Sequence, residues 1–94
     1  MSINVPNLRT IGGELDAANN KSVSETNFPN LETIEGNFVA YCSGFRTLPV
    51  NLKEIGGDAI ISDLDAPSLL EDIKRAKRNG ILKGNIFCLI LKYD

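Results

Sequence analysis

Three copies of one short sequence motif limit the folds that this chain can adopt. They read "LRTIGGELDA" at residues 8–17, "LETIEGNFVA" at 31–40 and "LKEIGGDAII" at 52–61. Aligned on a shared glycine, the copies are 23 and then 21 residues apart, and a weaker copy, "ILKGNIFCLI" at 81–90, follows after a further 27. Such a period is typical of proteins in which every repeat adds one short strand to a stack.

Apolar residues stand two and four positions after the aligned glycine of each copy, which is the pattern of one strand face. The repeat therefore predicts a parallel sheet with two inward rows: Leu15, Phe38, Ala59 and Ile86, and then Ala17, Ala40, Ile61 and Cys88. The residues before each glycine predict two more rows at the preceding bend: Leu8, Leu31 and Leu52, and Ile11, Ile34 and Ile55. Because no single copy can bury its own apolar face, the stack itself is the predicted core.

A helical segment separates the third copy from the fourth. Pro67, early acidic residues, late basic residues and the Asn79-Gly80 stop predict a helix over residues 67–79. Asp65 and Ser68 are its predicted caps, and its predicted apolar stripe is Leu69, Leu70, Ile73 and Ala76. The crossover that it makes between two parallel strands should be right-handed.

The last run, "NIFCLILKY" at residues 85–93, is nearly continuous in apolar side chains. That pattern predicts a final strand covered on both faces. The sequence as a whole predicts one α/β domain over residues 1–94, a short right-handed solenoid-like stack of about four parallel strands with one amphipathic helix before the last strand. Its predicted units cover about 5–27, 28–47 and 48–66, then the helix at 67–79 and a divergent last unit at 80–94.

The words "VPNLRTIGGELDA", "FPNLETIEGNFVA" and "LPVNLKEIGGDAI" resemble the "LPNLKxIGGxLxa" units of leucine-rich-repeat-like proteins of bacteria and phages. They are also similar to the repeats of receptor L domains. The resemblance covers residues 5–62 well and the remainder weakly, and the chain departs from the group in its few repeats and its inserted helix. What the resemblance implies is a repeat architecture and a role in binding.

Residue types exclude the commonest catalytic sites. The sequence has no histidine, so Cys42 and Cys88 have no imidazole partner and no Ser-His-Asp set can form. The cysteines lack metal-type spacing and are predicted to be reduced, buried small hydrophobic residues. We expect no enzyme activity, no cofactor and no metal, and we interpret "DLD" at 63–65 as helix capping rather than a calcium loop.

The paired glycines invite a phosphate-binding interpretation, but no nucleotide-binding glycine pattern is present and the glycines precede strands instead of opening helices. A repeated corner, which needs a positive φ or a close backbone approach, explains them.

The outward strand face is the predicted binding surface. Residues one, three and five positions after the aligned glycine are predicted to point away from the inward rows. From these we select Glu14, Asp16, Val39, Tyr41, Asp58, Ile60 and Phe87 as the candidate binding residues. Two alternatives stand open: the helix or a terminal segment covers the apolar row Val39, Ile60 and Phe87, or the row is exposed. An exposed row would form a protein interface with an apolar centre and an acidic rim.

Charge is unevenly distributed along the chain. Residues 1–73 hold 11 acidic and 4 basic side chains, a net −7, whereas residues 74–94 hold 1 acidic and 6 basic, a net +5. The acidic part favours a basic protein partner. An alternative patch in "KRAKR", formed by Lys74, Arg75, Lys77 and Arg78, is either a solvated helix face or a contact for phosphates or an acidic protein.

No apolar run approaches the length of roughly 18 residues that spans a bilayer, and no secretion signal opens the sequence. We therefore expect a cytoplasmic, non-enzymatic protein-binding module that is a monomer or a small homo-oligomer. A narrower hypothesis, based on the resemblance and the charge asymmetry, is an anti-CRISPR-like inhibitor of a phage or mobile element, acting in the host cytoplasm on a basic nucleic-acid-binding surface. The alternatives are a self-assembling structural repeat protein and a weak nucleic-acid binder that uses the basic helix.

Overall fold

Parallel pairing between successive repeats organises the fold. The computed structural model describes residues 5–91. One parallel sheet contains, in order, β1 (Thr10–Ile11), β3 (Thr33–Ile34) and β5 (Glu54–Ile55). The other contains β2 (Leu15–Asp16), β4 (Phe38–Val39), β6 (Ala59–Ser62) and β7 (Ile86–Leu89). A single α-helix, α1 (Pro67–Arg78), connects β6 to β7 in this part of the chain.

The strand register follows the repeat. Leu15 lies opposite Phe38, Phe38 opposite Ala59, and Ala59 opposite Ile86, which confirms the first predicted inward row. Ile11, Ile34 and Ile55 are also in register, and an isolated bridge continues their row to Leu82. The sequence predicted only a bend at these isoleucines, whereas they form the second sheet. The α/β class and the four-stranded parallel sheet are therefore confirmed, and each of the first three repeats contributes a strand to two sheets instead of one.

A column of glycines runs along the corner between the two sheets. The amide of Gly36 donates to the carbonyl of Gly13 at 3.0 Å, and Gly57 and Gly84 continue the column, each donating to the glycine below it at 2.9 Å. None of these four glycines has a positive φ; among residues 5–91 only Gly80 is a glycine with one. A Cβ on Gly57 would lie 2.9 Å from the carbonyl carbon of Gly36, so the close approach of backbones requires glycine here.

The apolar core lies between the sheets and the helix. Phe45 is its centre, with one aromatic neighbour stacked at 6.1 Å (Phe28) and another edge-on at 5.1 Å (Phe38) between ring centroids. The helix adds the buried side chains Leu69, Ile73 and Ala76, and Leu70 is half-buried. Burial of each such large side chain contributes about 1.5–3 kcal/mol, so the core, and not the two-residue strands, stabilises the fold.

The helix ends where a glycine follows it, but its start differs from the prediction. Asn79 is the residue after the last turn, and Gly80 has a φ of 78°. The predicted capping by Asp65 and Ser68 is wrong: the helix begins after Ala66 with no side-chain cap, and the Ser68 hydroxyl donates to the Arg46 carbonyl at 2.6 Å.

Asp65 has a different structural role. Its Oδ2 accepts hydrogen bonds from the Ser62 amide at 2.8 Å, the Ser62 hydroxyl at 3.0 Å and the Cys42 amide at 3.2 Å. The turn that ends β6 therefore uses this carboxylate before the helix can, which is the physical reason that the capping prediction failed.

The prediction that the last strand is covered on both faces is wrong. β7 pairs with β6 on one side only, and Phe87 is 47% exposed and Ile90 80% exposed. The core reaches the last unit at Leu82 and at the half-buried Ile86, but residues 87–91 are exposed, so the described part of the chain does not cover the rest of this segment. Cys88 is accordingly exposed, not buried as predicted, while Cys42 is half-buried, and both are free thiols. Residues 92 and 93 of the predicted strand lie outside the described residues.

The helices within residues 5–91 include none long and apolar enough to cross a membrane.

Candidate interaction surface

One row of side chains crosses the outer face of the four-stranded sheet. Asp16 lies opposite Val39, Val39 opposite Ile60, and Ile60 opposite Phe87. The chain neighbours of Asp16, Val39 and Ile60 belong to the core, and Ile86, before Phe87, packs against it. Alternate residues of a strand point to opposite faces, so this row faces away from the core. We call these four residues the outer row.

The apolar part of the outer row becomes more exposed toward β7. Val39 is 8% exposed, Ile60 is half-buried, and Phe87, on a strand that has a neighbour on one side only, is 47% exposed. None of the three belongs to the core cluster, to which the helix contributes its stripe. The helix therefore packs on the inner side of the sheet, and no segment within residues 5–91 covers the row at Phe87.

A polar column runs beside the outer row, at the position after each aligned glycine. The Asn37 side chain lies 3.4 Å from Glu14 Oε1 and accepts a bond from the Asp58 amide at 2.8 Å; Asp58 Oδ1 in turn accepts from the Asn85 amide at 2.8 Å. The column thus links all four units. Glu14 and Asp58, which the sequence assigned to a binding rim, both take part in it.

Asp16 and Tyr41 lie at the other side of the row. Asp16 is exposed, and its Oδ1 accepts only a local bond from the Ala18 amide at 3.0 Å, which leaves most of the carboxylate facing solvent. Tyr41 is half-buried and uses its backbone carbonyl to accept from the Asn19 amide. Of the seven residues selected from the sequence, Asp16, Val39, Ile60 and Phe87 are aligned across the sheet, and Glu14, Asp16 and Phe87 are exposed.

Two further columns connect the repeats and were not foreseen from the sequence. The side-chain amides of Asn30 and Asn51 donate to the proline carbonyls of the preceding unit, Pro6 and Pro29. On the surface, Glu32 lies between Arg9 at 3.0 Å and Lys53 at 3.8 Å. The asparagine column could have been predicted from the asparagine that follows the proline in each repeat. The charged column could have been predicted from the alternating charge at equivalent positions.

The basic helix residues are mostly engaged within the molecule. Lys74 lies 3.6 Å from Glu71 and Arg75 lies 2.7 Å from Asp72. The Lys77 ammonium donates to the Gly84 carbonyl and so closes the end of the glycine column. Arg78 is exposed. Internal partners at three of the four positions reduce the charge that this patch can offer to phosphates.

A cleft of about 310 Å³ lies between the helix and the loop that precedes β5. Its wall carries the Arg75–Asp72 ion pair, and Asp72 Oδ2 also accepts from the Leu48 amide at 2.8 Å. Both oxygens of the carboxylate thus have internal partners. Within residues 5–91 no group of three or more potential metal ligands occurs.

The last strand and the residues after it present an apolar surface that sequence reasoning missed. Besides Phe87, the exposed large side chains here are Leu89 at 36%, Ile90 at 80% and Leu91 at 37%. We call residues 86–91 the β7 edge. Its signal in the sequence was the continuous apolar run itself, which indicates burial without indicating which molecule provides the cover.

The polar column gives a test of the role of Asp58. Asp58→Ala is expected to lower the free energy of unfolding by about 1 kcal/mol, because the Asn85 amide loses its acceptor. Asp58→Asn keeps an acceptor oxygen, as Asn37 does in the column, and should cost less than about 0.5 kcal/mol. Urea unfolding of both variants checks this, and equal losses would show that the charge, not the acceptor, matters.

Searches of known protein families, curated proteins and solved structures found none that matches this chain. The function is therefore argued from the geometry of the described residues.

Proposed function

We propose that this protein is a non-enzymatic protein-binding module that covers a surface of another protein with the outer face of its four-stranded sheet. The observation that carries the proposal is the outer row, which lies outside the core and ends in a half-exposed phenylalanine. An aromatic side chain within an apolar patch is the usual anchor of a protein interface.

The chemistry of the rim favours a basic partner. Asp16 is exposed at one end of the row, Glu14 is exposed two residues earlier on the same strand, and residues 1–73 carry a net charge of −7. Acidic groups around an apolar centre steer a basic surface toward it and align the two. The internal partners of Lys74, Arg75 and Lys77 favour this face over the helix as the binding surface.

The proposal extends to a specific repeat architecture and to a specific role in the cell. We propose that the four units build a short right-handed solenoid-like stack of the leucine-rich-repeat-like kind, which is supported by the in-register pairing of equivalent positions. Within the cell, the module would inhibit a basic nucleic-acid-binding complex by occlusion, as an inhibitor encoded by a phage or mobile element would. The charge asymmetry and the repeat resemblance support this narrower form.

Site-specific photo-crosslinking tests the proposed function. A photoreactive amino acid at position 87 is expected to capture a discrete second protein in bacterial cells. The same amino acid at position 50 is the control, because Val50 is 84% exposed but lies outside the four-stranded sheet, in the loop before β5 and at the cleft beside the helix. Equal capture from both positions, or adducts with copies of the chain alone, would contradict the proposal.

Charge reversal then tests the acidic rim against the captured partner. Asp16→Lys is expected to raise the Kd about tenfold, since a positive charge would replace a negative one opposite a basic rim. Glu54→Lys makes the same charge change on the exposed face of the other sheet and should leave the Kd within about twofold. Titration calorimetry measures both, and equal Kd values for the two variants would exclude an interface at Asp16.

A further inference from the structure

No strand within residues 5–91 pairs with the open side of the β7 edge, where backbone hydrogen-bonding groups remain. The carbonyls of Asn85 and Leu89 accept from the Ala59 and Asp63 amides of the neighbouring strand region at 2.9 Å. Backbone groups alternate in direction along a strand, so the N–H and C=O groups of Ile86, Cys88 and Ile90 face the open side. An uncovered row of this kind is a template for a further strand.

The two edges of the four-stranded sheet are built differently. β2, at the far edge, is two residues long and has acidic side chains at Glu14 and Asp16, which is how proteins discourage pairing at an edge. The β7 edge is longer and has neither a charge nor a proline within residues 86–91. Lys77 closes the glycine column at Gly84, so the open stretch begins immediately after that corner.

We propose that the β7 edge pairs with the β7 edge of a second copy of this chain, antiparallel, about a twofold axis at Cys88. This register places Cys88 opposite itself and Ile86 opposite Ile90 of the second copy, and it pairs every open backbone group of these three residues. An axis at Phe87 would place Ile90 opposite Gly84, whose carbonyl already accepts from Lys77. An axis at Leu89 would leave Ile86 without a partner inside the edge.

Side chains in this register are complementary to themselves. Phe87 lies opposite Leu89 of the second copy on the outer face, where cross-strand side chains come closest. On the other face, Ile86 contacts Ile90 of the second copy. The exposed apolar residues of the β7 edge thus pack side by side with those of the second copy, while the outward surface of Phe87 stays open to a partner. This contact explains why a run with the pattern of a buried strand is left bare by its own chain.

Charge favours the antiparallel direction. Lys77, Lys83 and Asp58 lie at the start of the β7 edge, a net charge of +1, whereas Asp63 lies at its end, where its Oδ1 accepts from the Leu91 amide at 2.9 Å. Antiparallel pairing brings the basic start of one copy toward the acidic end of the other. Parallel pairing would bring like charges together, which is unfavourable.

The dimer goes beyond the proposed function and does not depend on it. A twofold axis perpendicular to the sheet keeps both outer faces on the same side of the molecule. The two outer rows would then lie side by side in one continuous face and could bind two sites of one partner with increased avidity.

Sedimentation equilibrium of the full chain at roughly 100 µM, above the Kd expected of a small interface, tests the proposal. We expect a mass twice that of the 10.2 kDa chain. Ile90→Lys is expected to reduce the mass to that of one chain, while Val50→Lys should leave it doubled, since both residues are at least 80% exposed but only Ile90 lies on the edge. Circular dichroism must show both variants to be folded.

Amide hydrogen exchange identifies the surface that pairs. In the doubled species the amides of Ile86, Cys88 and Ile90 are expected to exchange at least tenfold more slowly than in Ile90→Lys. A monomer at this concentration overturns the proposal. A doubled mass without protection of these three amides also overturns it, because the copies would then meet elsewhere. Neither result affects capture of a different protein by the outer row.

Discussion

Gly57→Ala is expected to lower the free energy of unfolding by about 3 kcal/mol. The added Cβ would meet the Asn37 side chain and would lie 2.9 Å from the Gly36 carbonyl carbon and 3.0 Å from the Asn37 amide nitrogen. Backbone atoms of the unit below cannot move away without breaking the glycine column and the strand pairing beside it. The cost therefore falls on the contact between two repeats.

Gly13→Ala is the matched control for this prediction. Gly13 occupies the same place in the repeat, but a Cβ added to it would have no atom within 4 Å, because no described unit packs beneath the first. Alanine also restricts the unfolded chain about equally at the two sites, so that contribution cancels. Gly13→Ala should change the unfolding free energy by less than about 0.5 kcal/mol. Urea denaturation compares the two, and equal losses would contradict a role for close backbone approach.

The glycine pair also shows how much of the fold the sequence could predict. Repetition of the motif identified the aligned glycines and the inward row from Leu15 to Ile86, because both follow from spacing. The helix was predicted from Pro67, the charge distribution and the Asn79-Gly80 stop. The second sheet was missed because strands of two residues, such as Thr33–Ile34, are too short to show an alternating pattern. Its formation depends on neighbouring repeats, which a local pattern does not describe.

The errors in the prediction have a common physical cause. Asp65 was expected to cap the helix, but three donors from the turn and from the neighbouring repeat compete for the same carboxylate. The last strand was expected to be covered because its apolar run continues on both faces. An apolar pattern indicates which side chains are stabilised by burial. It does not indicate whether the same chain or another molecule buries them.

The sequence predicted where the candidate site lies better than it predicted which of its polar groups are free to bind. Alternation placed Asp16, Val39, Ile60 and Phe87 on one face, and the strand register aligns them. The same alternation could not separate a carboxylate that is free to bind from one already occupied, as Asp58 is by the Asn85 amide. Only the pairing of the next repeat determines that difference.

The position of a strand in the four-stranded sheet therefore determines how accessible the side chains of its repeat are. Interior strands have neighbours on both sides, and their equivalent side chains are less exposed: Val39 is buried and Ile60 is half-buried. Terminal units lack one neighbour, which leaves Asp16 and Phe87 accessible at opposite edges of the sheet. Binding groups are thus expected at the ends of the repeat series, although the repeated word is much the same throughout.

Two phenylalanines on opposite faces of the sheet give the second large prediction. Phe38→Ala is expected to lower the free energy of unfolding by about 3–5 kcal/mol, because a fully buried ring is lost and a cavity remains beside Phe45, 5.1 Å away between ring centroids. Such a loss approaches the entire stability of a small domain, so the variant should be largely unfolded near 37 °C. Thermal unfolding followed by circular dichroism measures the change.

Phe87→Ala removes the same side chain from the outer face and separates stability from binding. Phe87 is 47% exposed, so its loss should cost about 1 kcal/mol or less. If it anchors the interface, the captured partner should bind about 30-fold more weakly, which corresponds to the roughly 2 kcal/mol of an interface hot spot. Normal binding by Phe87→Ala would show that Phe87 does not anchor the interface. A variant as unstable as Phe38→Ala would show that the Phe87 ring belongs to a second layer of the core. Stability retained together with affinity lost is the combination that only an exposed binding face produces.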